Sequence, residues 1–360
     1  MRDFEGTKKY QSILCSEVPR FLLKYLSLPV LVRLKGVGLL CGTDWTQLYN
    51  NRFFYSRYDH SLGTALVTWR FTHSKKQTVA SLLHDISTPV FSHVSDFRRG
   101  DTMRQESSEK RNTQMILNDD VLFGLLKEDG LCPSDVCDYH KFPVCDNEIP
   151  RLSADRFEYM FPSGMALRLN SEKDDGALWT LEEIKKICEN LSVMKNEDGE
   201  DELAFSDVQI ASDYCVKTCL VGEMLQRGEN KLALSLLSAV MNRAIETEIL
   251  CEEECYSLSE QNVISRFEDA ANEKSEMHDE QFAVLFKTFE EMTEIERSET
   301  KKEGAFCVEV NVKRRYINPL VRTGGKVMRV SEVSEEAKDA IRKFLLFNDA
   351  RFACVNLARI

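Results

Sequence analysis

A chain of 360 residues has room for one large core or for a main domain with an appendage, and its 43% hydrophobic and 29% charged residues exclude a disordered or fibrous protein. The formal net charge of -12 argues against wrapping nucleic acid over an extended surface, because affinity for a phosphate backbone comes from clustered Lys and Arg; a local basic pocket for a small phosphorylated ligand remains open. Twelve cysteines spread over a chain this long read as reduced thiols, not as the staples of a small secreted domain.

Apolar residues recur at helical spacing from Val18 to Leu40, with Pro19 and Pro29 near the starts of two short helices. Lys24, Arg33 and Lys35 interrupt this stretch, so it cannot span a bilayer as about 20 apolar residues must. Met1-Arg2-Asp3-Phe4-Glu5-Gly6 does not begin a signal peptide, and a cytoplasmic location is expected. Gly42 to Tyr55 is loop-like, and helical character returns from His60 to Phe71.

Val79, Leu82, Leu83 and Ile86 follow the i, i+3, i+4, i+7 pattern, which predicts a buried helix over Lys76–Ile86 that ends near Ser87, before Pro89. Glu106 to Leu126 reads as one helix, Leu131 to Pro150 as loop, and Ser153 caps a helix that runs to Phe161. The Asp198-Gly199 pair predicts a surface hairpin or loop, Leu237 to Ile245 an amphipathic helix, and Arg266 to Lys301 continued helix. A β-favouring run holding Cys307, Val308, Val310 and Val312 precedes Asn318-Pro319, and a helix over Ser334–Phe347 closes a small α+β appendage.

His84 and Asp85 lie at the end of the buried apolar helix, where a charge is costly unless paired or bound to a metal. Imidazole nitrogen and carboxylate oxygen are both good ligands for divalent first-row metals. Around this pair the chain reads Ser56-Arg57-Tyr58-Asp59-His60-Ser61-Leu62-Gly63, then Leu82-Leu83-His84-Asp85-Ile86-Ser87-Thr88-Pro89-Val90-Phe91-Ser92-His93, then Ser153-Ala154-Asp155-Arg156-Phe157-Glu158-Tyr159. In that order the three segments resemble the HD-domain metal phosphohydrolases, most closely the branch containing the dNTP triphosphohydrolases.

The resemblance implies a mainly α fold with an HD helical bundle over residues 1–190; the pattern of the second half adds a helical extension over 191–300 and the appendage over 301–360. It implies that His60, His84, Asp85 and Asp155 ligate one divalent ion: manganese, iron, magnesium, zinc, cobalt or nickel. It further implies that Arg57 and Arg156 contact substrate phosphates, that Tyr159 contacts the ligand, and that a homodimer forms. Planar guanidinium groups suit phosphate oxygens through bidentate hydrogen bonds. Read without the family, either arginine is a surface ion-pair residue and Tyr159 a core residue.

Two departures matter. Thr88 stands where the family carries its catalytic histidine, and Gln105-Glu106 where the triphosphohydrolases carry His-Glu; Thr88 cannot act as an acid or base near pH 7 but still faces the substrate in the family's arrangement. General acid-base help is typically worth 10²–10⁴-fold, so the usual mechanism does not transfer whole, and His93 and Glu106 are the candidate proton carriers. The leading reading is a metal-dependent phosphohydrolase acting on a nucleotide or related phosphate ester. The alternative is a catalytically weak HD protein that binds a nucleotide as a sensor or assembly module.

Other features are set aside. Cys132, Cys137 and His140, and the pairs Cys215/Cys219 and Cys251/Cys255, lack the two-plus-two spacing of structural zinc. Lys313-Arg314-Arg315-Tyr316, the compact basic cluster of an acidic chain, reads as a charged strand edge, with contact to a ligand phosphate or a neighbouring subunit as the second reading. His73, His140 and His278 read as surface or loop residues.

Overall fold

Side-chain caps open the helices that matter most for the site. In the computed structural model, which describes residues 4–103, 109–173 and 175–359, Ser56, Ser74 and Ser153 each accept a hydrogen bond from the backbone N–H three residues on. Each bond satisfies one orphan donor of a first helical turn, worth about 1 kcal/mol. These serines start α1 (Arg57–Thr72), α2 (Lys75–Leu83) and, after the short α3 (Val94–Arg98), α4 (Ala154–Ala166). The second half contributes α5 (Val208–Gln226), α6 (Gly228–Glu246), α7 (Glu260–Ala270), α8 (Glu280–Glu291) and α9 (Glu335–Leu346). The protein is therefore mainly helical.

Several segments differ from expectation. Instead of two short α-helices, the early apolar stretch forms 3-10 turns at Arg20–Ser27 and Arg33–Gly36 around a single α-turn at Pro29–Val32. Prolines ten residues apart leave segments too short to gain from helical cooperativity. Helix α2 stops at Leu83, because Ile86 N–H and Thr88 N–H bond to the carbonyls of Leu83 and Asp85 in tight i→i+3 turns ahead of Pro89. After residue 108 the single helix expected to Leu126 is two, Glu109–Asn118 and Asp120–Glu128. Asp119 leaves helical geometry and accepts from Leu122 N–H at 2.9 Å, capping the second.

Where a surface hairpin or loop was expected around Asp198-Gly199, strands β1 (Leu191–Lys195) and β2 (Asp201–Phe205) form a hairpin, with Gly199 at φ 79°. Helical character does not persist to Lys301, since β3 (Glu296–Ser298) follows α8, and the next strand, β4 (Ala305–Val308), stops short of Val312. β5 (Leu320–Thr323) pairs in parallel with β2 through Ala204 and Leu320, and β6 (Lys326–Arg329) completes a sheet of order β1-β2-β5-β6. β7 (Phe352–Asn356) lies between β3 and β4 in the second sheet. The C-terminal α+β segment thus completes sheets begun earlier in the chain.

That second sheet corrects one reading of the cysteines. Cys307 and Cys354 face each other in the β4–β7 ladder and form a disulfide, while the other ten cysteines are free. Directly opposed residues of an antiparallel pair come within disulfide reach, and a sequence separation of 47 hides the pairing from the sequence.

Beside a small cluster of Met194, Ala204 and Leu320, two large apolar clusters fill most of the interior. One lies around α1, α2, α4 and α5 and includes Leu66, Leu82, Phe157 and Tyr214; the other is built on α6, α7 and α8 and includes Leu237, Phe267 and Phe286. Each fully buried Leu or Phe contributes roughly 1.5–3 kcal/mol. Ile86 belongs to the first cluster, whereas Val90, Phe91 and Val94 belong to the second, so the segment after His84-Asp85 bridges them. No helix among the described residues is long and apolar enough to cross a membrane.

Candidate metal centre

Three helix ends deliver the donor atoms. His60 sits in the opening turns of α1, His84 and Asp85 in the turn that ends α2, and Asp155 in the first turn of α4, where the helix dipole favours a carboxylate. Asp155 Oδ1 lies 3.0 Å from His60 Nε2 and 3.5 Å from His84 Nε2. Asp85 Oδ2 lies 3.8 and 3.6 Å from the same two nitrogens. Ligand atoms of His60, His84 and Asp155 all fall within 4.8 Å of one another, the spacing of donors around a single cation.

The orientation of the imidazoles is set from behind. His60 Nδ1 lies 2.5 Å from Glu158 Oε2, and His84 Nδ1 lies 2.7 Å from the Ser81 carbonyl. A carbonyl or carboxylate can only accept, so each Nδ1 carries the proton and each Nε2 is left to point at Asp155. Such partners behind a ligating histidine fix its tautomer and raise its basicity. Glu158 is completely buried, takes a second bond from the Tyr55 hydroxyl at 2.6 Å, and packs where a Cβ on Gly63 would meet its Oε1 at 2.5 Å. Gly63, one turn beyond His60, is thus required by the carboxylate.

Sequence reasoning passed over Glu158. The available signal was a glutamate three residues after Asp155, on the same helical face within an otherwise apolar run.

The electrostatics are those of a site balanced by proton or cation. Burial works against a charged His60, but hydrogen bonds to Asp155 and Glu158 outweigh it and push its pKa up to about 10. Burial likewise opposes ionisation of Asp155, yet the two imidazoles hold its carboxyl well below the usual range. Asp85 is also held low against burial, chiefly by Arg57, whose Nη1 donates to Oδ2 at 2.8 Å. Two histidines drawn to carry protons beside two carboxylates is the pattern that a divalent cation replaces. The donor set therefore fits a metal ion.

The remaining site candidates among the described residues fall around one cavity of about 1100 Å³, whose wall includes His60, His84, Asp85 and Asp155. Arg57 lines it, clamped between Asp85 and Ser92 Oγ at 3.0 Å. Thr88 lines it too, its hydroxyl donating to Asp85 Oδ1 at 2.8 Å. His93 Nδ1 is 2.9 Å from Asp96 Oδ2, and burial lowers its pKa, with Arg315 and Arg57 adding to the effect. Arg156 reaches the cavity wall, but its guanidinium donates to the Arg151 carbonyl at 2.9 Å and to Asn147, and pairs with Asp146 at 3.3 Å. Tyr159 lines the cavity with a buried hydroxyl that has no hydrogen-bond partner among the described residues. Glu106 lies outside the described residues.

The features set aside separate in space. His140 pairs with Asp146 at 2.9 Å near the cavity mouth, His73 caps the end of α1, and His278 lies in a loop before α8. Cys215 and Cys219 are buried one turn apart on α5. The basic run after β4 is not in a strand, and Lys313 and Arg315 are in the cavity wall.

A mainly helical chain with a two-histidine, two-carboxylate cluster in the wall of a large cavity is the class that fold and site define. No family model matches the chain. An uncharacterized protein YdhJ from Bacillus subtilis (strain 168) is 28% identical over 127 residues, spanning 35% of this chain and 38% of that protein. Over nearly the whole length, the fold is shared with a phosphohydrolase from Bacteroides thetaiotaomicron VPI-5482, at TM-score 0.61 and 14% identity, covering 96% of this chain and 97% of the other. A hypothetical protein from Aquifex aeolicus is similar to the same degree, with TM-score 0.61, 14% identity and 94% and 92% coverage.

Proposed function

We propose that this chain is a metal-dependent phosphohydrolase of the HD type, acting on a nucleotide or a related phosphate ester in the cytoplasm, as a homodimer. The observation that carries the reading is the convergence of His60, His84 and Asp155, with Asp85 Oδ2 within 3.8 Å of both imidazoles, in a cavity wall that also bears arginines. The fold shared with a protein named a phosphohydrolase supports it.

His60, His84, Asp85 and Asp155 would hold a divalent ion, which would supply positive charge toward phosphoryl oxygens and lower the pKa of water. The chain's own residues do the rest. Arg57, pre-set by Asp85 and Ser92, presents a fixed guanidinium to a phosphate. His93 keeps Nδ1 on Asp96, which leaves Nε2 to take up or release a proton. Thr88 anchors Asp85 and does no proton transfer.

The Thr88 hydroxyl, engaged where the family's histidine stands, favours a second reading, that of a nucleotide-binding sensor with weak turnover.

Purified protein incubated with manganese, magnesium, cobalt or iron and a panel of nucleoside mono- and triphosphates separates the two. Hydrolysis is expected, with Asp155→Ala losing at least 10²-fold in rate. Metal-dependent binding without turnover would establish the sensor, and elemental analysis that finds no stoichiometric metal would sink both.

A further inference from the structure

Arg33, a cation that interrupts the early apolar stretch, opens the 3-10 turn Arg33–Gly36. Its Nη2 donates to the Ile86 carbonyl at 3.0 Å and to the Thr88 carbonyl at 2.7 Å. Its Nε and Nη1 are buried with no hydrogen-bond partner among the described residues. A guanidinium taken out of water is costly unless it is paired, and this one is committed to two backbone oxygens. Burial lowers its pKa to about 10, against the pull of the Asp85 carboxylate.

Both carbonyls belong to the turn that follows His84-Asp85. In that turn the amides of Ile86 and Thr88 bond back to the carbonyls of Leu83 and Asp85. Carbonyls in such an irregular stretch need donors from elsewhere, and one nitrogen of Arg33 serves two of them. From the turn the geometry passes to the site through side chains. The Thr88 hydroxyl donates to Asp85 Oδ1 at 2.8 Å, and Asp85 Oδ2 accepts from Arg57 Nη1 at 2.8 Å. Holding the Thr88 backbone therefore holds the hydroxyl that fixes the Asp85 carboxylate.

Arg33 can serve as a fixed reference because its own turn is firmly seated. Leu31 and Leu34 on either side of it are fully buried, and the Val37 carbonyl accepts from Arg57 N–H at 2.8 Å. A Cβ on Gly36 would meet the Cβ of Ser259, the cap of α7, at 2.4 Å, so the turn lies directly against that helix start.

We propose that Arg33 is a positioning residue of the candidate metal centre: its clamp on the Ile86 and Thr88 carbonyls aims the Asp85 carboxylate at the ion, so that the strength and geometry of metal coordination depend on it. The inference rests on the metal-dependent phosphohydrolase reading and deepens it. Arg33 is not in the cavity wall, so it acts only through the turn. A merely structural arginine would change stability and leave coordination alone.

Cobalt titration of the chelator-stripped protein tests this, with affinity taken from competition against a chelating dye and geometry from the visible absorption of bound cobalt. Arg33→Gln is expected to bind cobalt about 10–100-fold more weakly, as loss of a partner behind a metal ligand does, and to change the absorption spectrum. Arg33→Lys, which offers a point charge without the planar fork, recovers part of the affinity. Phe286→Leu, in the apolar cluster that includes α8, lowers the melting temperature without touching the turn and binds cobalt as the wild type does. The positioning role is overturned if Arg33→Gln leaves affinity and spectrum unchanged, or if Phe286→Leu weakens cobalt binding as much for the same loss of melting temperature. Should Arg33→Gln not fold, Arg33→Lys takes its place, and wild-type affinity with a wild-type spectrum in that variant overturns the role. A wild type that takes up neither cobalt nor manganese is a different failure: it sinks the metal-dependent reading, and the positioning role with it.

Discussion

Two glutamates buried in this protein serve the same cavity by different means. Glu158, on α4, stands among charge: burial raises its pKa, and His60 and Tyr55 pull it back. Glu260, at the start of α7, is held by neutral donors. Its Oε1 accepts from Gly38 N–H at 2.9 Å and Phe91 N–H at 3.1 Å, and its Oε2 from Trp45 Nε1 at 2.8 Å. Burial pushes its pKa up to about 7. A carboxylate against an imidazole tunes a donor atom, whereas one against backbone amides fixes the path of a loop. The loop in question contains Phe91 and Ser92, both non-glycine residues in left-handed geometry at φ 60° and 52°. Ser92 Oγ then donates to the Gly38 carbonyl at 2.9 Å and accepts from Arg57. Glu260 therefore reaches the site only through the backbone.

The sharpest way to break this contrast is to remove each carboxylate. Glu260→Ala strips an acceptor from two buried amides and the half-buried Trp45 indole and is expected to cost about 3 kcal/mol or more, seen as a lowered midpoint in urea unfolding. Metal affinity per folded molecule should stay near the wild-type value, and a loss as large as that of a Glu158 variant would erase the distinction. Glu158→Gln should do the reverse, weakening metal binding by about 10–100-fold in a competition titration while unfolding shifts less.

The smallest effect is in pH dependence. The folded-state pKa of Glu260 lies above its ordinary 4.5, so between about 4.5 and 7 the folded protein holds a proton that the unfolded chain releases. Its contribution to stability is then present at low pH and declines as pH rises through that window. Asp44 beside it, pushed up by burial to about 6, adds in the same direction. Melting temperatures of wild type and Glu260→Gln from pH 4.5 to 7.5 should diverge in slope, with the variant flatter; parallel curves would show that Glu260 does not titrate there.

The residues of the candidate cluster stand out in the sequence because they sit in short motifs next to helix boundaries. Ser153 reads as a cap and His84-Asp85 follows a clean apolar stripe, whereas the equivalent caps Ser56 and Ser74 emerge only in the structure. Glu158 was harder, since its role appears only when α4 is laid against α1 and Gly63 makes room for it. Arg156 illustrates the opposite problem: a residue type suited to phosphate turned out to be bonded to Arg151, Asn147 and Asp146. The basic run at 313–315 read as a strand edge because β-branched residues precede it, but β4 ends at Val308 and the irregular segment beyond follows Gln226 and Gly222 on α5.

By itself the sequence determined the Ser153 cap, the apolar stripes, a hairpin or loop at Asp198-Gly199 and the order of the candidate ligands, because each depends on residues within a turn or two of one another. The tertiary structure decided what lies far apart along the chain: Glu260 on the Phe91 loop, Cys307 opposite Cys354, and Arg315 in the cavity with Asp155. Local pattern sets which face of an element is apolar, but the partner of a buried charge is chosen only when two such faces meet.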